Sequence, residues 1–301
     1  MQTAPPQRIS QPTFPDQHDI VEAIASKLPV SDCAAAFGVS RTWNAAAAAR
    51  LRAVLSDLRK SARAVFGHPP GSAWRVLSEH RCDVRNAAAL GHLVQLLHFG
   101  ALPALQKLTV VGACRIGASA LAEALKVNAV LTDLNLYDNQ IGDAGAAALA
   151  DALKVNAVVK NLKLGGNDIG DAGAAALADA LKVNAVVTEL HLSWNMIGDD
   201  GAAALAEALM VNAVVKNLKL GGNKIGYAGA AALADALKVN AVVTELDLAG
   251  NFIGNAGAAA LTDALKVNAV LKDLDLEDNS IGAEQRAALR TAAQPRLTLK
   301  V

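Results

Sequence analysis

The chain has 301 residues, 28 of them basic and 28 acidic, for a formal charge of zero. That length holds two domains, and the charge balance gives no general case for nucleic-acid binding. Three widely spaced cysteines, Cys33, Cys82 and Cys114, form neither a zinc cluster nor a disulfide framework and suit a reducing, intracellular compartment in the cytoplasm or nucleus. No run of about 18 strongly apolar residues is present. No membrane span is therefore expected, and Met1–Arg8 has no apolar core behind it to make a secretory signal.

Residues 1–13, with Pro5, Pro6 and Pro12, are expected to form a mobile tail. Phe14-Pro15 then opens a helical pattern in which Ile20, Ile24 and Leu28 keep to one face until Pro29 stops it. Ser31 or Asp32 caps a second helix, and Val39-Ser40-Arg41-Thr42-Trp43 opens a third that runs towards Arg63. Arg50, Arg52, Arg59, Lys60 and Arg63 make that helix basic, which reads as a solvated face. The Phe-Pro start, the three spaced aliphatics, Asp32 and the V-S-R-x-W run resemble the F-box over residues 14–63. Phe14 stands where that family more often has Leu, and the gap before Ile20 is longer than usual. The resemblance implies a trihelical module that docks on the adaptor subunit of a cullin-type ubiquitin ligase. Phe14, Pro15, Ile20, Ile24 and Leu28 would carry that contact.

Residues 64–104 read as a helical linker and a degenerate first repeat. Gly67-His-Pro-Pro-Gly71 is a loop. The segments from Ala73 to His80 and from Asn86 to Phe99 are expected to be helices. Leu105 to Val110 supplies the first recognisable strand, and Cys114 takes the place that asparagine holds in later repeats.

From there the sequence repeats every 28 residues, with anchors at Asn139, Asn167, Asn195, Asn223, Asn251 and Asn279. In one unit, Leu131, Leu134 and Leu136 predict a short strand with its leucines inward. The asparagine should satisfy buried backbone at the turn, and Ile141 should plug the core. Asp143, with Asp171, Asp199 and Asn255 in phase, predicts a helix N-cap. Tyr227 and Ala283 break that rule, so their helices should start more weakly. Leu149, Ala152 and Leu153 form the buried stripe of the helix, Asp151 and Lys154 face water together, and Asn156 is expected to stop the helix in a left-handed conformation. A unit of this size cannot bury its own leucines, so the units must stack as a solenoid. Alternate repeats match over 56 residues: Val159–Asn167 returns as Val215–Asn223. Pro295–Val301 looks like a last strand closing the sheet edge.

The L-x-x-L-x-L-x-x-N pattern resembles the leucine-rich repeat in its 28-residue, ribonuclease-inhibitor-like subtype, over residues 105–301. The fold class this implies is α/β, a horseshoe solenoid with parallel inner strands and outer helices, preceded by a small all-α domain. In that architecture the positions between the leucines point to the concave side. One ladder is Asp133, Asn161, Glu189, Asn217, Glu245 and Asp273. The second is Asn135, Lys163, His191, Lys219, Asp247 and Asp275. Tyr137 follows the second, with Trp194 nearer the rim; both are anchor types favoured at interface hot spots. The acidic C-terminal end of this face suits a partner with a basic patch.

Gly165-Gly166-Asn167 and Gly221-Gly222-Asn223 are repeat turns without phosphate-loop spacing, and no metal-ligand or Ser-His-Asp set can be argued. No enzymatic activity and no cofactor are expected. The function these readings imply is a receptor recruiting a protein substrate to a ubiquitin ligase. The alternative is a scaffold or an enzyme regulator, resembling leucine-rich-repeat GTPase activators or ribonuclease inhibitors, whose N-terminal helices act only as a cap. An activator of that kind would be expected to carry an acidic C-terminal tail, and Lys300-Val301 is not one.

Overall fold

A computed structural model describes residues 74–78, 81–84, 94, 97, 105–110 and 118–301. The F-box-like segment, with Phe14, Pro15, Ile20, Ile24 and Leu28, lies outside the described residues, as do Cys114 and Ile116. Ten strands form one sheet in chain order. β1 (Trp74–Ser78) pairs antiparallel with β2 (Arg81–Val84), and β2 pairs parallel with β3 (Lys107–Val110). Parallel strands of three residues follow: β4 (Asp133–Asn135), β5 (Asn161–Lys163), β6 (Glu189–His191), β7 (Asn217–Lys219), β8 (Glu245–Asp247), β9 (Asp273–Asp275) and β10 (Thr298–Lys300). Helices alternate with them: α1 (Ala118–Val127), α2 (Gly142–Leu153), α3 (Asp171–Leu181), α4 (Asp199–Val211), α5 (Tyr227–Val239), α6 (Gly254–Val267) and α7 (Ala283–Ala292).

The hairpin corrects the helix expected from Ala73 to His80. The run is short, and Trp74, Val76 and Val84 are strand formers, so a hairpin that continues the sheet outweighs an isolated helical turn. Val94 and Leu97 are helical, as expected for that segment. The closing strand at the other end is present as β10.

Each unit buries its apolar side chains between strand and helix. Leu131, Leu134, Leu136, Leu149 and Leu153 are at most 3% exposed. Burying one leucine contributes roughly 1.5–3 kcal/mol, and that gain exists only once neighbouring units stack. Alanines at 146, 150 and 152 are also buried, which lets adjacent helices approach closely. Gly173 shows how close: a methyl there would come within 2.7 Å of the Asp143 carboxylate and 2.8 Å of Ile169.

Two ladders of buried asparagine hold consecutive units together. At the strand-to-helix corner, Asn195 Nδ2 donates to the Leu164 carbonyl of the preceding unit at 3.0 Å and to Leu192 O at 2.9 Å. Its Oδ1 accepts from the amides of Asn167 and Ile169, both at 3.0 Å. The same reach backwards recurs at Asn167, Asn223, Asn251 and Asn279. The second ladder lies at the helix-to-strand corner. Asn156 Nδ2 donates to Leu125 O at 2.7 Å, an unused carbonyl at the end of the preceding helix, while its Oδ1 accepts from the Val158 and Val159 amides. Asn184, Asn212, Asn240 and Asn268 repeat this. This corrects the left-handed stop expected at Asn156. The equivalent Asn212 is extended, at φ −77° and ψ 124°, and works through its side chain.

The capping aspartates also act across units. Asp143 does not cap α2. Its Oδ1 accepts from the amides of Gly170 at 2.7 Å and Gly173 at 2.9 Å, the N-cap and third residue of α3. Asp171 serves α4 and Asp199 serves α5 in the same way, and Asn255 bonds Gly282 ahead of α7. Where the carboxylate is supplied, the N-cap glycine is extended, with φ −97° at Gly170. Tyr227 supplies none to α6, and there Gly254 turns to φ +59° and donates to Asn279 O instead. The weakened start expected at Tyr227 and Ala283 is therefore misplaced. α5 and α7, which begin at those residues, receive an acceptor from the unit before, and the loss at Tyr227 falls on α6.

Asn195→Ala would remove a donor from the Leu164, Leu192 and Ser193 carbonyls and the acceptor of the Asn167 and Ile169 amides, and should lower the unfolding free energy by about 1–3 kcal/mol. Glu245→Ala, on the open face of the sheet, should change it by less than about 0.5 kcal/mol. Urea denaturation of the two variants checks this ranking. Tyr227→Asp should restore the missing acceptor to α6 and stabilise by about 0.5–2 kcal/mol, and Asp199→Ala should destabilise by a similar amount. A Tyr227→Asp melting temperature equal to that of the wild type would refute the relay from unit to unit.

Candidate protein-binding face

The polar side chains of the central strands lie on the sheet face opposite the helices. The register places Asp133, Asn161, Glu189, Asn217, Glu245 and Asp273 side by side on successive strands, and likewise Asn135, Lys163, His191, Lys219, Asp247 and Asp275. Adjacent rungs are separated by about 4.8 Å. The two expected ladders are thus brought together as continuous rows.

Their members are not equally available. Asp133 accepts from Thr132 Oγ1 at 2.6 Å and from Asn161 Nδ2 at 2.8 Å, with Lys107 Nζ 3.7 Å away. Burial opposes its charge, but those hydrogen bonds and the lysine hold its carboxyl below the usual range. Asp275 is paired with Lys300 at 2.9 Å, and the aspartate in turn raises the lysine's pKa. Both aspartates are committed within the fold. Glu245, Asp247 and Asp273 have no salt-bridge partner among the described residues. At mid-face, burial, then Lys219 and then Lys163 push the His191 imidazole down to about 4. It is therefore neutral at pH 7.

Aromatic residues from 105 onwards sit outside the core. Tyr137, Trp194, Tyr227 and Phe252 are all exposed, Trp194 at 68%, Tyr227 at 65% and Phe252 at 70%. Two of them rest on glycine. A methyl on Gly165 would meet the Tyr137 ring at 2.8 Å, and one on Gly222 would meet the Trp194 indole at 2.8 Å. Each ring therefore lies across the backbone of the next unit and is held in place while its outer surface stays wet.

Trp194 is joined on the same strand-to-helix rim by Met196 and Phe252, also exposed, with Lys224 in phase between them. The rungs are set by Met196 N donating to Ile169 O, Lys224 N to Ile197 O and Phe252 N to Ile225 O. Tyr227 follows at the start of α5. Met196, Tyr227 and Phe252 were not singled out as binding residues from the sequence. The signal that marks them is a large apolar residue at a phase where other units carry Gln, Asp, Lys, Ser, Asn or Ala. The opposite rim carries a regular ridge of exposed valines at 127, 155, 183, 211, 239 and 267. On the outer helices, lysines pair three residues back with carboxylates, as Lys154 does with Asp151 at 2.8 Å. Such exposed pairs contribute little.

Among the described residues, no group of three His, Cys, Asp or Glu could hold a metal ion, and no helix is long and apolar enough to cross a membrane. What the face offers is a broad, rigid, polar surface with an aromatic border, which suits recognition of another protein.

Residues 127–150, 155–178, 183–206, 211–234 and 239–261 match the family described as Leucine Rich repeat. No curated protein matches the chain. Among the solved structures that resemble part of it are parts of leiomodin-1 and tropomodulin. Actin-binding site 2 of leiomodin-1 is 27% identical, covering 49% of this chain and 86% of that one, with a TM-score of 0.44. The tropomodulin C-terminal domain of Caenorhabditis elegans is 16% identical, covering 42% and 76%, with a TM-score of 0.37. With the five matched segments laid onto consecutive strand–helix units of one parallel sheet, the chain carries leucine-rich repeats assembled as a solenoid.

Proposed function

We infer that this chain is a non-catalytic receptor that holds a protein partner on the open strand face and its strand-to-helix rim. The observation that carries this reading is the set of large apolar side chains, Trp194, Met196, Tyr227 and Phe252, exposed on neighbouring units of one rim. In a solenoid whose core is built of leucine, isoleucine, valine and alanine, such residues are not needed to fill the core. Tyr227 also takes the place of a capping carboxylate, so the start of α6 goes without that acceptor. Contiguous exposed apolar surface bordered by polar residues is characteristic of interaction sites.

The receptor's other end would be the F-box-like segment, with Phe14, Pro15, Ile20, Ile24 and Leu28 contacting a ubiquitin-ligase adaptor subunit. The repeats would then bring a protein substrate near the ligase without bond chemistry of their own. Pairing of β1 and β2 ahead of β3 already covers the first sheet edge of the repeats. That favours a separate role for residues 14–63 over a role as a cap.

The test is direct binding of the purified full chain to the adaptor subunit. Binding that Ile20→Asp/Ile24→Asp abolishes, with the far-ultraviolet spectrum of the repeats unchanged, supports the receptor reading. No binding by the wild-type chain would leave a scaffold or regulator. For the substrate side, Trp194→Ala/Phe252→Ala should weaken partner capture by about 30-fold or more, as expected for loss of an interface hot spot of about 2 kcal/mol. Its melting temperature should not fall, because neither ring is in the core. Unchanged capture would remove the rim from the site.

A further inference from the structure

The open face is divided by charge, and the division has a direction. Lys163 on β5, His191 on β6 and Lys219 on β7 occupy one row on adjacent strands. Asp247 on β8 continues that row, and Glu245 and Asp273 flank it in the neighbouring row. The lysines of the outer helices described above are neutralised by a carboxylate three residues away. Lys163 and Lys219 have no carboxylate within salt-bridge range among the described residues. With a neutral imidazole between them, Lys163 and Lys219 stand two strands apart, about 10 Å, and neither charge is matched by a carboxylate among the described residues. The next residues on this face of the same three strands are Gly165, Ser193 and Gly221. A methyl on Gly165 would meet the Tyr137 ring at 2.8 Å and one on Gly221 the Asp247 carboxylate at 2.9 Å, so those two side chains border the row at this end.

We propose that the open face binds a bipolar segment of its protein partner. An anionic side chain, carboxylate or phosphate, seats on Lys163, His191 and Lys219, and basic side chains of the same segment lie on Glu245, Asp247 and Asp273. This rests on the protein-binding reading above and specifies its partner. The centre of the basic row is two to three strands from the acidic group, roughly 10–14 Å at about 4.8 Å per strand. An extended peptide covers that distance in about three to four residues at about 3.3 Å each. The other groups facing His191 are Glu189 on its own strand, Asn135 beyond Lys163 and Asp247 beyond Lys219. An anion between the lysines would also favour protonation of His191, whose unliganded pKa is about 4.

The test is fluorescence anisotropy of the full chain with labelled peptides of one length. Two bipolar peptides carry either glutamates or phosphoserines at one end and arginines at the other, with about four uncharged residues between. The comparison peptides have the same charges intermixed, or arginines only. The proposal expects a bipolar peptide to bind most tightly, with the better of the two naming the anion. It also expects Lys163→Gln/Lys219→Gln to weaken that peptide by about tenfold while leaving the arginine-only peptide unchanged. Both lysines lie on the open face outside the core, so an unchanged melting temperature confirms that the variant is folded. Equal binding of intermixed and bipolar peptides, or indifference to the lysine changes, overturns the proposal but leaves protein binding at the acidic end standing. A single-stranded oligonucleotide that binds the lysine row more tightly than either bipolar peptide also overturns it. If none of the peptides binds, the proposal and the open-face reading fall together.

Discussion

The structure depends on how a stack of short coils satisfies its buried backbone. A strand of three residues leaves long turns on both sides of each helix, and those turns are covered by the next unit before all of their carbonyls and amides have met a partner. Buried without partners, such groups would each cost about 1–3 kcal/mol. The primary amide is the side chain that fits this need, because it donates and accepts at once. Asn195 and its equivalents close one corner of every unit, and Asn156 and its equivalents close the other. Both reach into the preceding unit.

The aspartate relay also crosses between units, but in the opposite direction. Asp143 stands at the start of α2 yet bonds the first amides of α3. Every helix so served depends on the unit before it for its beginning. Stability in such an array is a sum of unit and neighbour terms, and the relay places part of each neighbour term in a single carboxylate. The junction between α5 and α6 lacks that contribution because Tyr227 replaces the aspartate. It is therefore the weaker coupling in the middle of the stack, and it adjoins the exposed rings of Phe252 and Trp194.

Periodicity made the strands, the leucine core, the first asparagine ladder, the two face ladders and the outer Asp–Lys pairs legible, because each depends only on a residue's phase within the unit. Periodicity does not reveal whether a residue's partner lies in its own unit or the next. Asp143 has the same spacing to the start of its own helix in every copy, so capping its own helix and capping the following one look alike in sequence. Asn156 misled for a related reason. Its identity suits a left-handed stop, but its side chain has a better use bridging to Leu125 O. The hairpin of Trp74–Ser78 and Arg81–Val84 was missed because so short an apolar run fits a helix or a strand, and only pairing with β3 decides. On the face, the rows were legible but the neutralisation of Asp133 and Asp275 was not. Lys300, which pairs with Asp275, belongs to the last strand and has no phase in the repeat.

A repeat also shows where it has been altered. The valine ridge returns in every unit, so it follows from the unit itself and needs no partner to account for it. The rim and the open face behave differently. Units two apart are near copies, and Lys163 and Lys219 stand at the same place in two such copies. The other pair of units two apart diverges at several positions. His191 in one copy is Asp247 in the next, Trp194 is Gly250, and Met196 is Phe252. None of these side chains belongs to the buried core, so packing did not require the changes. Replacing His191 by Asp at its counterpart turns a basic row into an acidic one within two strands. The two copies also differ at buried Ala206 and Thr262 and on the outer helix at Met210 and Lys266, but the exchanges at His191 and Trp194 alter the charge and the bulk of the open face and its adjoining rim.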